Sequence, residues 1–289
     1  MVLVHVDTDL GDNPDDACAV AMLLGWPGVE LRSISTVNDR DGHRAALVRE
    51  LLELAGAADV PVAAEPSAPS ELVSAAEDDA ALLALGPLTN VAGADALKPG
   101  VLADVDLTIC GGWLDGPGPG LPAWDARRDS NVQADPTAAR LVWERCDATW
   151  VPVAASCVAT LRETDLRRLA AAGPLGRRLA GDSLAHGRSR GHHELGRECG
   201  RLPADLVTFH FDPVAAATAV GWQGARIEQV EVTWVAGEPG ARMARPHQRS
   251  RVEDHLSTRR TSVVTVVDGD AFGQVWLGAV EAAARRAAS

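Results

Sequence analysis

Basic residues are scarce in this chain, and tyrosine is missing altogether. Lysine and arginine together number 27 against 40 aspartates and glutamates, a formal net charge of -13, and Lys98 is the one lysine. A surface of that sign, with a pI near 5.0, has no basic face to meet a nucleic acid or an anionic membrane, so neither is expected as a partner. A small molecule or a cation fits better. Cysteine is sparse as well: Cys18, Cys110, Cys146, Cys157 and Cys199 are scattered and odd in number, without CxxC spacing, which suggests neither a disulfide framework nor a structural zinc site. They read as reduced thiols. No stretch stays apolar for the roughly 18 residues of a membrane helix, and no basic and then apolar leader precedes the first strand-like run at Val2. A soluble, cytoplasmic protein is the expectation. Abundant Ala, Gly, Arg and Pro beside a single lysine has the texture of a high-GC bacterial genome.

Apolar content is ample. Hydrophobic residues make up 46% of 289 positions, enough for a substantial core, and no repeat or low-complexity linker divides the chain, so one domain over 1–289 is expected. The runs VLVHV, LRSISTV, VPVAA, AALLAL, VDLTIC and TWVPVAA read as short strands, and DDACAVAMLLG, HRAALVRELLELAG and PTAARLVWERC between them read as helices. Strands spaced by helices predict βαβ units and an α/β fold with an open, mostly parallel sheet covered by helices on both faces. From about 162 to 202 the chain is helical, Arg-rich and Gly-punctuated, an excursion able to cover a pocket. IEQVEVTWVAG and TRRTSVVTVVDGD then read as antiparallel-type strands before a closing helix. Sites on such sheets lie at the carboxyl ends of the strands. The acidic turn after strand one, TVND after strand two, CGGW after VDLTIC and SCVAT after WVPVAA all fall on that rim.

The turn DTDLGDNPDD holds Asp7, Asp9, Asp12, Asp15 and Asp16. Two carboxylates about 4 Å apart at an effective dielectric near 20 repel by roughly 4 kcal/mol, so such a cluster must protonate or find a cation. Oxygen ligands alone suit Ca²⁺ or Mg²⁺ rather than Zn²⁺. A blander role covers part of the charge, since Asp15 and Asp16 also complement a helix dipole. Three families place DxD in such a setting. A haloacid-dehalogenase-type phosphatase generally needs a downstream Lys or Arg to hold its nucleophilic Asp, and Lys98 sits in a loop-like ALKPG. An EF-hand needs flanking helices, and VLVHV reads as strand.

The third family resembles this chain in order along most of its length. DTDLGDNPDDACAV is similar to the DxDxGxDDAxA motif of the inosine-uridine-preferring nucleoside hydrolases, with two extra residues before the DD pair, and LELAGAADVPVAA, GPLTNVA, ICGG, DSNVQADPTAA and FDPVAAATAV have family counterparts. The resemblance implies a Rossmann-like nucleoside hydrolase fold, a homodimer or homotetramer, a nucleoside substrate, and one Ca²⁺ that binds the ribose 2′ and 3′ hydroxyls and activates a water. It implies Asp9, Asp16, Asp212 and the backbone carbonyl of Thr89 as metal ligands, Asp9 also as general base, and Asp15 as acceptor for the 2′ hydroxyl. Asn38 and Asn131 resemble the family's sugar-binding asparagines, and Asp7 is read as orienting the loop. The reaction so implied is hydrolysis of an N-glycosidic bond through an oxocarbenium-like sugar, with the leaving base needing its own activation.

The sequence departs from the family at four places. The His expected directly before the last metal-binding Asp is Phe211, with His210 one earlier and, on extended backbone, facing the opposite way unless the segment bulges. His186, His192 and His193 in the excursion are candidate replacements. At the 5′ end of the sugar the family's ExN reads Asp129-Ser130-Asn131, its MGG reads Cys110-Gly111-Gly112, and its GN is absent from PGLPAWDARRDSN. The 2′/3′ face is kept and the 5′ wall rebuilt, which implies a ribonucleoside modified or enlarged at 5′, with Arg127 and Arg128 available to an anionic group. Trp113 and Trp124 flank that loop as pocket walls or as plain packing, and the missing tyrosine removes the family's occasional tyrosine contact to the base. The alternative in a different class is an inactive relative that binds nucleoside and metal.

Overall fold

The alternation of β-branched runs with apolar-periodic ones folds through the first half as the sequence predicts. The computed structural model describes residues 1–237, 240–245 and 258–287. Its elements run β1 (Val2–Thr8), α1 (Asp15–Gly25), β2 (Val29–Thr36), α2 (His43–Leu54), β3 (Val62–Ala63), α3 (Ala68–Glu77), β4 (Ala81–Ala84), α4 (Thr89–Leu97) and β5 (Leu107–Cys110). There follow α5 (Ser130–Ala134), α6 (Pro136–Arg145), β6 (Ala148–Val151), α7 (Val153–Ser156), β7 (Thr160–Arg162), α8 (Leu166–Ala171), α9 (Gly173–Ser189) and α10 (His192–Glu198). The chain closes with β8 (Leu206–Phe209), α11 (Phe211–Ala219), β9 (Ala225–Val235), β10 (Arg242–Ala244), β11 (Thr258–Val267) and α12 (Gly269–Ala287).

Among the described residues nine strands form one sheet in the order β10-β9-β11-β6-β5-β4-β1-β2-β3. From β11 to β3 every pairing is parallel, while β9 and β10 add an antiparallel edge. Because β1 is followed by β2 on one side and flanked by β4 on the other, the strand order reverses at β1, the place where open α/β sheets bind ligands. The acidic turn leaves β1 at that point.

Alternation along the strands feeds two cores. Val4, Val6, Leu83 and Leu85 face the layer of α1, α11 and α12, whereas Leu82, Ala84, Ile109 and Trp150 face the layer of α3, α4 and α6. Helix starts follow from side chains that cap them. Asp135 accepts a bond from the Ala138 amide at 3.0 Å and Pro136 opens α6, where its missing N–H costs nothing.

Three local expectations change. TWVPVAA stays a strand only to Val151, because Pro152 has no N–H for the ladder and the following VAAS coils into α7. VPVAA contributes only Val62 and Ala63 to the sheet edge. A separate two-stranded pairing of β7 with β8 brackets the excursion of α8, α9 and α10, and no alternation in its short runs announced it. Among the described residues no helix is long and apolar enough to cross a membrane.

Helix α12 lies directly on α1. Its Trp276 donates a hydrogen bond to the Cys18 carbonyl at 3.1 Å, and a Cβ added at Gly25 would stand 1.8 Å from the Ala279 carbonyl oxygen and 2.6 Å from the Ala283 nitrogen. Only a glycine permits that approach. The same layer takes in His210, fully buried with its ring centroid 4.3 Å from that of Trp276 and an edge contact to Phe272. Neither ring nitrogen has a hydrogen-bond partner, and burial pushes the imidazole down to about 3. His210, expected as a catalytic residue, instead turns its ring into the core where the chain passes from β8 into α11.

Two outcomes follow for stability. Gly25→Ala should lower the free energy of unfolding by roughly 3 kcal/mol, read as a lower urea midpoint at unchanged slope, because backbone on α12 cannot move aside cheaply. For His210 the folded-state pKa is depressed, so its contribution is present above the unfolded value near 6.5 and is lost as pH falls toward about 3. Replacing it with Phe should therefore remove about 2 kcal/mol of the stability lost between about pH 7 and pH 5, measured by urea titration at both.

Candidate active site

The site is built where β1 ends. Inside the sheet, the Ser35 hydroxyl donates to Asp7 Oδ1 at 2.6 Å and Asn90 Nδ2 donates to the same oxygen at 2.9 Å. With its proton given to Asp7, Ser35 accepts from His5 Nε2 at 2.9 Å, which leaves His5 Nδ1 to accept from Ser33 at 2.8 Å. Burial holds His5 neutral, down to about 3, and raises Asp7 to about 7 despite its two donors. Asp7 thus ties β1 to β2 and α4, in keeping with the orienting part read from the sequence. One residue on, the Thr8 hydroxyl donates to the Asp16 carboxylate and accepts from the Leu10 amide at 3.1 Å.

Asp15 and Asp16 occupy the first turn of α1, and Asp212 that of α11, which packs against it. One carboxylate oxygen from each of the three lies within 4.8 Å of the other two, and all three residues are buried. Burial first, and then their mutual repulsion together with Asp9, raises each carboxyl, Asp15 to about 7 and Asp16 and Asp212 well above the ordinary range. The Asp212 amide donates to Asp15, yet Asp15 Oδ1 has no partner. An orphaned buried carboxylate oxygen beside two more carboxylates, with an all-oxygen donor set, fits a hard divalent cation.

Around this floor lies a cavity of about 330 Å³. Asp9 lines it outside the tight cluster, its carboxyl raised by burial and by Asp12 and lowered by Arg44, whose guanidinium is bonded to the Asp9 carbonyl. Cys110 ends β5, and its thiol hydrogen-bonds the Asp212 carboxylate. Asn131 is clamped by Nδ2 bonds to the carbonyls of Leu85 at 2.5 Å and Cys110 at 3.1 Å, which fixes its amide at the wall. Phe211 stacks on Phe209 at 5.2 Å and closes another side. Asp129 also lines the cavity, but its carboxylate caps α5 through the Val132 amide at 3.2 Å and takes the Gly112 amide at 2.7 Å. Gly112 is at φ +88 with Trp150 2.6 Å from where a Cβ would stand, so the two residues build the wall together.

Other expected residues fall elsewhere. Asn38, at φ 55 and exposed, lines a separate concavity together with Thr89, whose hydroxyl donates to Asp135 at 2.7 Å. Of the three excursion histidines, His186 alone lines the acidic cavity; His192 is bonded to the Val207 carbonyl at 3.1 Å and His193 is exposed. Trp113 is core, while Trp124 packs edge-on against Phe209 at 5.4 Å and carries the Arg128 guanidinium over its ring at 4.6 Å. The cavity wall also includes Asn13, whose buried Oδ1 has no partner, and Arg190 just after α9. Sequence reasoning passed over both, since a loop asparagine and a helix-end arginine are ordinary there.

Comparison with known proteins accords with this geometry. The chain matches the model of the family described as inosine-uridine preferring nucleoside hydrolase over residues 64–274, a span that begins after the acidic turn and includes Asp129, Asn131 and Asp212. No curated protein matches it. Among solved structures it is similar to a plant nucleoside hydrolase at 20% identity and TM-score 0.75, with 96% of this chain and 98% of that chain covered. A purine-preferring ribonucleoside hydrolase from Gardnerella vaginalis gives 19% identity and TM-score 0.78 over 98% and 99% of the two chains. An inosine-uridine preferring nucleoside hydrolase from Bacillus anthracis gives 18% and 0.62 over 97% and 99%. At these identities the structures speak for the fold, and the family model speaks for descent: the chain belongs to the inosine-uridine preferring nucleoside hydrolases, enzymes that hydrolyse N-glycosyl bonds.

Proposed function

We propose that the chain is a Ca²⁺-dependent N-ribohydrolase acting on a ribonucleoside modified at its 5′ position. The observation that carries this reading is the buried group of Asp15, Asp16 and Asp212, with an unpartnered Asp15 oxygen, at the floor of a cavity of about 330 Å³. Asp16 and Asp212 would hold the ion with Asp9, and the exposed side chain of Thr89 leaves only its backbone carbonyl to join them. When bound, a divalent cation supplies the positive charge that keeps these carboxylates ionised and makes a nearby water more acidic. Asp9, the least enclosed of the group, accepts the water's proton. Asp15 accepts a ribose hydroxyl, and Asn131 orients the sugar from the wall. As the C–N bond lengthens, positive charge grows on the sugar, and the carboxylate floor favours that charge over the neutral ground state.

The leaving base is less well served. With His210 in the core, His186 is the imidazole at the cavity, and burial, followed by His192, Arg190 and Arg128, pushes it down to about 4. A ring so held is neutral near pH 7 and offers the base an N–H hydrogen bond rather than a ready proton. That weakness favours the inactive, nucleoside-binding relative as the second reading. A phosphatase gains nothing, since Lys98 is paired with Glu77 at 2.6 Å on the surface. Five free cysteines, four of them buried, support a reducing, cytoplasmic setting, and a homodimer or homotetramer is the assembly implied by the family resemblance.

Release of free sugar from a panel of purine, pyrimidine and 5′-substituted nucleosides tests this directly. Turnover should require Ca²⁺, stop with chelator, and fall about 10²–10⁴-fold in Asp9→Ala. Preference for plain inosine or uridine over every 5′-modified member would sink the 5′ assignment, and tight nucleoside binding without release would favour the binding relative. A second test uses stability. Since the folded pKa values of Asp15, Asp16 and Asp212 are raised, the metal-free protein loses stability as pH climbs above about 4, with Asp15 ionising near 7 and Asp16 and Asp212 well above the ordinary carboxylate range. The gain in melting temperature from Ca²⁺ over chelator should therefore widen between about pH 5 and pH 8, while histidine contributions cancel in the difference. Asp16→Asn should narrow it; a gain independent of pH would count against this ligand set.

A further inference from the structure

The cavity is bipolar. Its floor is carboxylate, but Arg128 and Arg190, from segments far apart in sequence, line its mouth beside His186. In a chain with 40 acidic residues many described arginines find a carboxylate, as Arg127 does with both oxygens of Asp125 at 2.6–3.2 Å. Arg128 and Arg190 do not: among the described residues neither guanidinium forms an ion pair or a hydrogen bond. Arg128 holds its guanidinium carbon over the Trp124 ring at 4.6 Å and within 6.0 Å of the Phe211 ring, a cation–π contact that uses none of its N–H donors. The neighbouring carboxylate of Asp129 is turned to the amides of Gly112 and Val132 and forms no ion pair with it. Burial, and then the nearby charge of Arg190, lowers the hold of Arg128 on its proton, and both arginines help to depress His186. A helix-dipole role accounts for Arg190 at the end of α9, but Arg128 has no such place.

We infer that Arg128 and Arg190 form a subsite for an anionic group, phosphate or carboxylate, carried by the substrate at the end remote from its 2′ and 3′ hydroxyls. This deepens, and rests on, the reading of the cavity as a ribonucleoside site. Two like charges held at one mouth gain from an anion that each can meet with paired N–H donors, whereas a neutral nucleoside leaves both unmatched. A phosphate at 5′ and a carboxylate on the base are the two sources of that chemistry. Hydrolysis of either kind breaks the same C1′–N bond, adding the water's hydroxyl to C1′ and its hydrogen to the base.

The experiment compares kcat/KM for a neutral ribonucleoside, its 5′-monophosphate, its 5′-carboxylate, and a nucleoside with a carboxylate on the base, in the Ca²⁺-loaded full chain. One anionic member should exceed the neutral parent by at least about tenfold, with the ratio shrinking as salt is raised. Which member does so identifies the source. Arg128→Gln and Arg190→Gln should each collapse that ratio toward one, while Arg128→Lys should keep part of it, which separates loss of charge from loss of folding. A ratio at or below one in the wild type, or one unaffected by both Gln variants, overturns the subsite. If no member is hydrolysed, the hydrolase reading fails, and calorimetric binding decides the subsite. Tighter, arginine-dependent binding of an anionic member supports it; equal or absent binding refutes it.

Discussion

Three carboxylates packed within 4.8 Å of one another, out of water, are the constraint on which the rest of the site depends. Left alone they repel, and burial adds to the penalty of each charge. The fold answers in part with backbone. Asp15 and Asp16 sit in the first turn of α1 and Asp212 in that of α11, so two helix N-termini point their unpaired N–H groups at one spot, and the Asp212 amide donates to Asp15. What the backbone leaves uncompensated, shown by the open Asp15 oxygen, is the affinity for a cation.

Such a cluster holds its shape only if the strand end beneath it is rigid. The chain of bonds from Ser33 through His5, Ser35 and Asp7 to Asn90 crosses the sheet directly below the acidic turn. A satisfied buried polar network favours one arrangement over its competitors, and here the arrangement fixes β1 against both neighbouring elements. Above it, Thr8 hands the register on to Asp16. The close contact of Gly25 with α12 does the same for the far end of α1, so the helix that presents two of the three carboxylates is held at both ends.

Opposite charges then divide the cavity. The floor favours positive charge on the sugar, and the mouth, with Arg128 and Arg190, favours negative charge on the part of the substrate farthest from the floor. Burial, then His192 and the two arginines, holds His186 neutral, so the charges that would recognise an anion also bear on whatever help the leaving base receives. Arginine charge at the mouth and proton donation at the base therefore oppose each other in this geometry.

The sequence by itself determined the α/β class, the rim on which polar groups gather and the identity of the acidic floor, because these rest on local facts: strand and helix periods, and aspartates confined to one turn. Asp15, Asp16 and Asp212 were legible for that reason, two by adjacency and the third by its motif. Tertiary structure decided what periodicity cannot see. Whether His210 faces the cavity or Trp276 turned on one residue of phase where β8 passes into α11, and Asn38 was carried to a separate concavity by the turn after β2. Arg190 shares a cavity with Arg128 only because the end of α9 reaches the site, a juxtaposition of positions 62 residues apart that no local pattern encodes. Local chemistry is written in neighbouring residues; which distant charges share a cavity is set by how the layers pack.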